Sequence, residues 1–76
     1  MESIKSYSYT WLMKSLVNKK VRFTSDCEFF PNFDVNGKIL SSHIKGNELI
    51  FKLKVTNTKT IDVGSNMKNL RFEIIS

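Results

Sequence analysis

The sequence predicts an α+β, mainly β protein in which a short N-terminal amphipathic helix packs on a small five-stranded antiparallel barrel. Three observations carry that prediction. One apolar stripe recurs at helical spacing before residue 18, the period drops to two from Lys20 onward, and turn-forming residues punctuate the alternating segments at short intervals.

Tyr9, Leu12, Met13, Leu16 and Val17 fall at i, i+3, i+4, i+7 and i+8, which places them on one face of a helix over residues 9–18. Ser6 or Ser8 caps its start and Asn18 suits a left-handed exit. A helix of two to three turns is marginal alone and must dock its stripe on something. The preceding residues 1–8 read as an N-terminal tail.

From residue 20 the chain reads as strands. Val21 and Phe23 alternate with Lys20, Arg22 and Thr24; Leu49, Phe51, Leu53 and Val55 alternate with Ile50, Lys52, Lys54 and Thr56. Residues 37–44 form the second strand, and Lys45, Gly46 and Asn47 turn it into the third, with Gly46 free to take positive φ. Asn57 and Thr58 make the next turn, after which Ile61 and Val63 continue inward to Gly64. Residues 65–70 suit one turn of 3₁₀ helix, and residues 71–75 make a final strand with Phe72 and Ile74 on one face. One longer loop, residues 25–36, joins the first two strands.

Length and composition bound the rest. Seventy-six residues hold one core and hence one domain, 1–76, with the barrel over 20–75. A hydrophobic fraction of 41% is too high for a disordered chain, and no apolar run approaches a membrane span. The single Cys27 excludes an internal disulfide, and the polar N-terminus lacks the apolar core of a signal peptide, so the expected location is cytoplasmic. A net charge of +5 directs the protein toward nucleic acid, acidic proteins or anionic surfaces. The charge is uneven: residues 26–35 carry Asp26, Glu28 and Asp34 with no base, between two basic segments.

The order of parts resembles an SH3-like barrel: first strand, long irregular loop, three hairpin-linked strands, a 3₁₀ turn and a last strand. The paired Tyr and Trp positions that bind proline-rich ligands in signalling SH3 domains are not evident, because the only Trp, Trp11, precedes the barrel. In size and in Lys and Asn richness the chain is also similar to small proteins of phages and mobile elements. Some of those bind nucleic acid, and others, the anti-CRISPR proteins among them, block host nucleases.

Two function classes follow. Lys20, Arg22, Lys52 and Lys54 lie on the outward parity, and Lys38 joins them from the second strand; such a face meets phosphates of RNA or DNA, or docks on a nucleic-acid-handling complex. The alternative is an inhibitor that binds a host Cas nuclease or another defence protein through Phe29, Phe30, Phe33 or Trp11. Acidic neighbours make the phenylalanine loop a poor platform for bases. Burial of at least two of its three Phe beneath the barrel end is the expectation, as is Trp11 stapling the helix to the barrel. Asn66 and Lys68 are lesser members of a contact surface at one barrel end.

No catalytic or metal function is expected, and no cofactor or small-molecule substrate. Cys27 and His43 exhaust the soft metal ligands, where a structural zinc site wants four. Cys27 reads as a small buried hydrophobe and His43 as a hydrogen-bonded strand residue; a Cys–His nucleophile would need the two within reach in a cleft.

Overall fold

Tertiary structure grows from the point where the two periodicities meet. The computed structural model describes residues 1–27, 29 and 32–75. Its elements run β1 (Glu2–Ser3), a 3₁₀ turn (Ile4–Ser6), α1 (Tyr9–Leu16), β2 (Lys20–Ser25), β3 (Phe33–Lys45), β4 (Glu48–Thr56), β5 (Lys59–Gly64) and β6 (Arg71–Ile74). The strands pair antiparallel in one sheet of order β1-β6-β2-β3-β4-β5. Strands β2 to β5 are a meander, and β6 returns to pair with β2. The expected closed five-stranded barrel is thereby corrected: the sheet has six strands and is open, with β1 and β5 as its edges.

The sixth strand comes from the segment read as a tail. Glu2 and Ser3 pair with Phe72 and Arg71, and the Ile4 N–H donates to the Leu70 carbonyl over 2.9 Å. Ile4 is buried in the core, so burial of one side chain fixes the segment that two polar residues could not signal.

Helix α1 starts as its sequence dictates. Ser8 is the N-cap, its Oγ accepting from the Trp11 N–H at 3.2 Å. The helix ends at Leu16, short of the expected residue 18, and Asn18 takes a left-handed φ of 63°. Val17 therefore leaves the helical stripe and is exposed, while Leu12 and Leu16 are fully buried. Beyond the helix, the Asn18 N–H donates to Ile39 and the Ile39 N–H donates to Lys19, which stitches the exit to β3.

The core joins Leu12 and Leu16 to Val21, Phe23, Ile39, Leu49, Phe51, Leu53, Val63, Leu70 and Phe72. Phe23 and Phe51 rings lie 5.3 Å apart at its centre. A part-buried polar tie joins the helix to the turn between β3 and β4 and to the residue after β5. The Tyr9 hydroxyl donates to the Asn47 carbonyl at 2.9 Å, and its oxygen lies 2.9 Å from Ser65 Oγ. With the single tyrosine proton so committed, Ser65 donates to Tyr9 while accepting from the Leu49 N–H.

Three further expectations are corrected. Residues 65–70 form consecutive turns, closed by Met67 N–H to Gly64 and Leu70 N–H to Met67, and not a 3₁₀ helix. Strand β3 begins at Phe33, because Phe33 and Val35 extend the inward alternation across Ser25 and Phe23 of β2. A bulge between Ile39 and Ser41 then shifts the β3–β4 register, so Ser41 and His43 share the outward side. His43 is exposed and makes no side-chain hydrogen bond among the described residues, contrary to its expected role. Gly46 takes the predicted positive φ, 63°.

Gly37 permits a close approach of β3 and β4. A Cβ there would overlap the Lys54 carbonyl, next to the second bulge of β4 between Lys54 and Thr56. Gly37→Ala should therefore destabilise the fold by about 1–3 kcal/mol, the usual range for overpacking. A urea unfolding midpoint equal to that of the native chain would refute this reading.

Candidate functional site

Strand register decides which predicted basic residues meet. Lys20 of β2 stands directly opposite Lys38 of β3, and Lys38 stands opposite Lys54 of β4. At a strand spacing of about 4.8 Å, the three make one row about 10 Å long. All three are exposed. The row continues to Thr60 on β5 and ends on the other side near Ile75, whose N–H donates to the Lys20 carbonyl at 2.7 Å. It contains no carboxylate, and none of its lysines enters an ion pair among the described residues.

The other two predicted members are compensated. Arg22 forms a two-pronged pair with Asp34, Nε to Oδ1 at 2.9 Å and Nη2 to Oδ2 at 2.6 Å, and Glu73 stands opposite it on β6. Lys52 faces Asp62 across β4 and β5. The basic face thus has a bare centre, flanked by Arg22 in its pair with Asp34 and by Lys52, which stands opposite Asp62 without an ion pair. Beside the bare lysines lies a groove of about 320 Å³, lined also by Asn36, Gly37, Val55, Thr56 and Asn57. Its amides and hydroxyl are hydrogen-bond donors for an oxyanion. Sequence reasoning missed Asn36, within β3 two residues before Lys38, and Asn57, just past the end of β4.

The remaining candidates scatter. Phe29 is 87% exposed, Phe33 is half-buried against the core, and Phe30 lies outside the described residues. Trp11 is 40% exposed and stacks on Tyr7, at 4.4 Å between ring centroids, while Tyr7 meets the Phe72 ring edge-on. It therefore reaches the sheet through Tyr7 and is no buried staple. Asn66 donates its backbone N–H to Glu48, and the Lys68 carbonyl accepts from Ser25 Oγ and from the Asp26 N–H. Their side chains are exposed, on turns away from the lysine row. Cys27 is half-buried and lines an apolar groove of about 500 Å³ with Phe33, Ile50, Ile61 and Met67, while His43 is not part of that lining.

Among the described residues no cluster of three metal-ligating side chains occurs, and no helix is long and apolar enough to cross a membrane. No protein family, no curated protein and no solved structure matches this chain.

Two acidic anchors brace the loop between β2 and β3. Hydrogen bonds and charge from Arg22 hold the Asp34 carboxyl below its ordinary value of 3.8. Asp26 is lowered likewise, first by the Asn69 amide and then by Arg71. A depressed folded-state pKa contributes stability that is present above the ordinary carboxylate value and is lost as pH falls through the folded value. Urea unfolding followed from pH 5 down to about pH 2 should therefore show stability declining, with a shallower decline in Asp34→Asn. Both carboxylates are exposed, so the effect is modest. An identical pH profile in that variant would refute the assignment.

Proposed function

We propose that this protein is a non-catalytic basic binding module that contacts the phosphate backbone of RNA or DNA, alone or within a nucleoprotein complex. The observation that carries the reading is the uncompensated row of Lys20, Lys38 and Lys54. Like charges placed directly opposite across strands destabilise a sheet. A chain that sets acids opposite Arg22 and Lys52, yet leaves three neighbouring lysines bare, retains a charge that a polyanion relieves. Each ammonium would neutralise one phosphate and release its counterion, while Asn36 and Asn57 donate to phosphate or sugar oxygens. Nothing in the groove presents a planar platform for a base, which favours backbone contact over base readout. The order β6-β2-β3-β4-β5 is compatible with an opened SH3-like arrangement, and we read the fold as such a relative.

A second reading, an anti-CRISPR-like inhibitor of a host nuclease or other defence protein, is favoured by one observation, the near-complete exposure of Phe29. An anchor of that kind would bind with little response to salt.

Fluorescence anisotropy on a labelled oligonucleotide across a salt series separates the two. The affinity should fall with a log–log slope of about −2 to −3 for three phosphate contacts, and each of Lys20→Gln, Lys38→Gln and Lys54→Gln should reduce that slope by about 0.7–0.9. Arg22→Gln should change it less, because Asp34 already neutralises the guanidinium. A salt-independent affinity, or a triple lysine variant with the native slope, would overturn the proposal.

A further inference from the structure

The bare lysine row is short, and its neighbours close it off on every side. Across the strands it ends at Thr60 of β5 and, beyond Lys20, near the exposed Ile75. Along the strands the next outward charges are Arg22, bound to Asp34, and Lys52, opposite Asp62. A positive groove that follows a nucleic-acid strand holds about four nucleotides or more, whereas this row runs only about 10 Å. It opens on the groove of about 320 Å³, whose other polar side chains are Asn36, Thr56 and Asn57. The Thr56 hydroxyl accepts from the Thr58 N–H at 3.4 Å and still carries a hydrogen to donate.

We infer that this groove takes a strand end: the terminal phosphate monoester of an RNA or DNA chain, with the first backbone phosphate beside it. The inference rests on the phosphate-binding reading above and narrows its substrate. Near neutral pH a monoester carries about two negative charges and three strongly accepting oxygens, while a backbone diester carries one charge. Together they match the three ammonium groups of Lys20, Lys38 and Lys54. A backbone passing through would bring fewer charges to so short a row, and its continuation would run past Asp34 or Asp62. A strand end has no continuation on one side. The neutral donors point the same way. The amides of Asn36 and Asn57 and the Thr56 hydroxyl add to the lysine donors, and a monoester has one more charged oxygen to receive them than a diester has. A phosphorylated peptide would supply the monoester but only neutral backbone beside it, which leaves the third lysine unmatched.

The test is displacement of a labelled, unphosphorylated decathymidylate from the full chain, read by fluorescence anisotropy at one low salt concentration. The unlabelled competitors are decathymidylates with a 5′ phosphate, with a 3′ phosphate, or with neither. One of the two phosphorylated strands should compete about tenfold better than the strand with neither, as expected for one further charge-assisted contact. Lys38→Gln, at the centre of the row, should cut that preference by more than half. Lys5→Gln removes the same charge from an exposed position outside the groove and should keep it. Both positions are exposed, and unchanged far-UV circular dichroism confirms that both variants fold. Equal competition by the three strands, with the salt dependence of binding intact, would overturn this inference and leave backbone contact standing. Absence of binding or of its salt dependence would remove both. A preference unchanged in Lys38→Gln would also overturn it. So would thymidine monophosphate or a phosphoserine peptide competing as well as the phosphorylated strand, since the occupant would then be a free phosphate or a phosphoprotein.

Discussion

Gly37 stands where β3 and β4 approach so closely that no side chain fits between it and the Lys54 carbonyl, and the pairing of these two central strands depends on that space staying empty. The bulge beside it, between Lys54 and Thr56, adds local twist and lets β4 bend over the core. Inside the core, Leu12 and Leu16 of the helix pack with the buried residues of the sheet. Outside it, the same register brings Lys54 level with Lys38 and Lys20. The missing Cβ of Gly37 thus sits between a core residue, Leu53, and a member of the lysine row, Lys54.

Charge on this small surface is sorted rather than spread. Acidic residues pair with Arg22 and Arg71 around the loop between β2 and β3 or stand opposite Lys52, while Lys20, Lys38 and Lys54 have only one another across the strands. Glu2, which accepts from the Tyr7 hydroxyl, and Glu73, opposite Arg22, lie at the edge made by β1 and β6. Exposed ion pairs contribute little to stability, so the value of this sorting lies in where it leaves unbalanced charge.

Much of this was legible from residue order. Ser8 capped the helix, Asn18 released it, Gly46 turned the hairpin, and the alternating apolar residues of β2, β4 and β5 entered the core. The failures have specific causes. Strand β1 is two polar residues held by backbone pairing and by its neighbour Ile4, and so has no pattern of its own. The bulge at β3 flipped the side-chain alternation after Ile39, which no local feature announced, and His43 went outward with it. The start of β3 was visible in the alternation of Phe33 and Val35 with Asp34 and Asn36, but the dense aromatic loop obscured it. For the site, outward parity picked out five basic residues, of which the structure leaves Lys20, Lys38, Lys52 and Lys54 exposed and Arg22 half-exposed. Only cross-strand register showed that three stand bare while two face acids, and register is a long-range property that residue spacing does not encode.

The topology also separates the two surfaces in folding time. The lysine row is built by consecutive hairpins, β2 to β3 to β4, whose loop closures are short. The setting of Trp11 needs residues near the N-terminus to meet β6, a closure spanning most of the chain, which carries the largest entropic penalty. Native tryptophan emission thus marks arrival of the most distant contacts. In a refolding experiment it should time the completion of the sheet, while protection of amides in the meander against hydrogen exchange times its beginning.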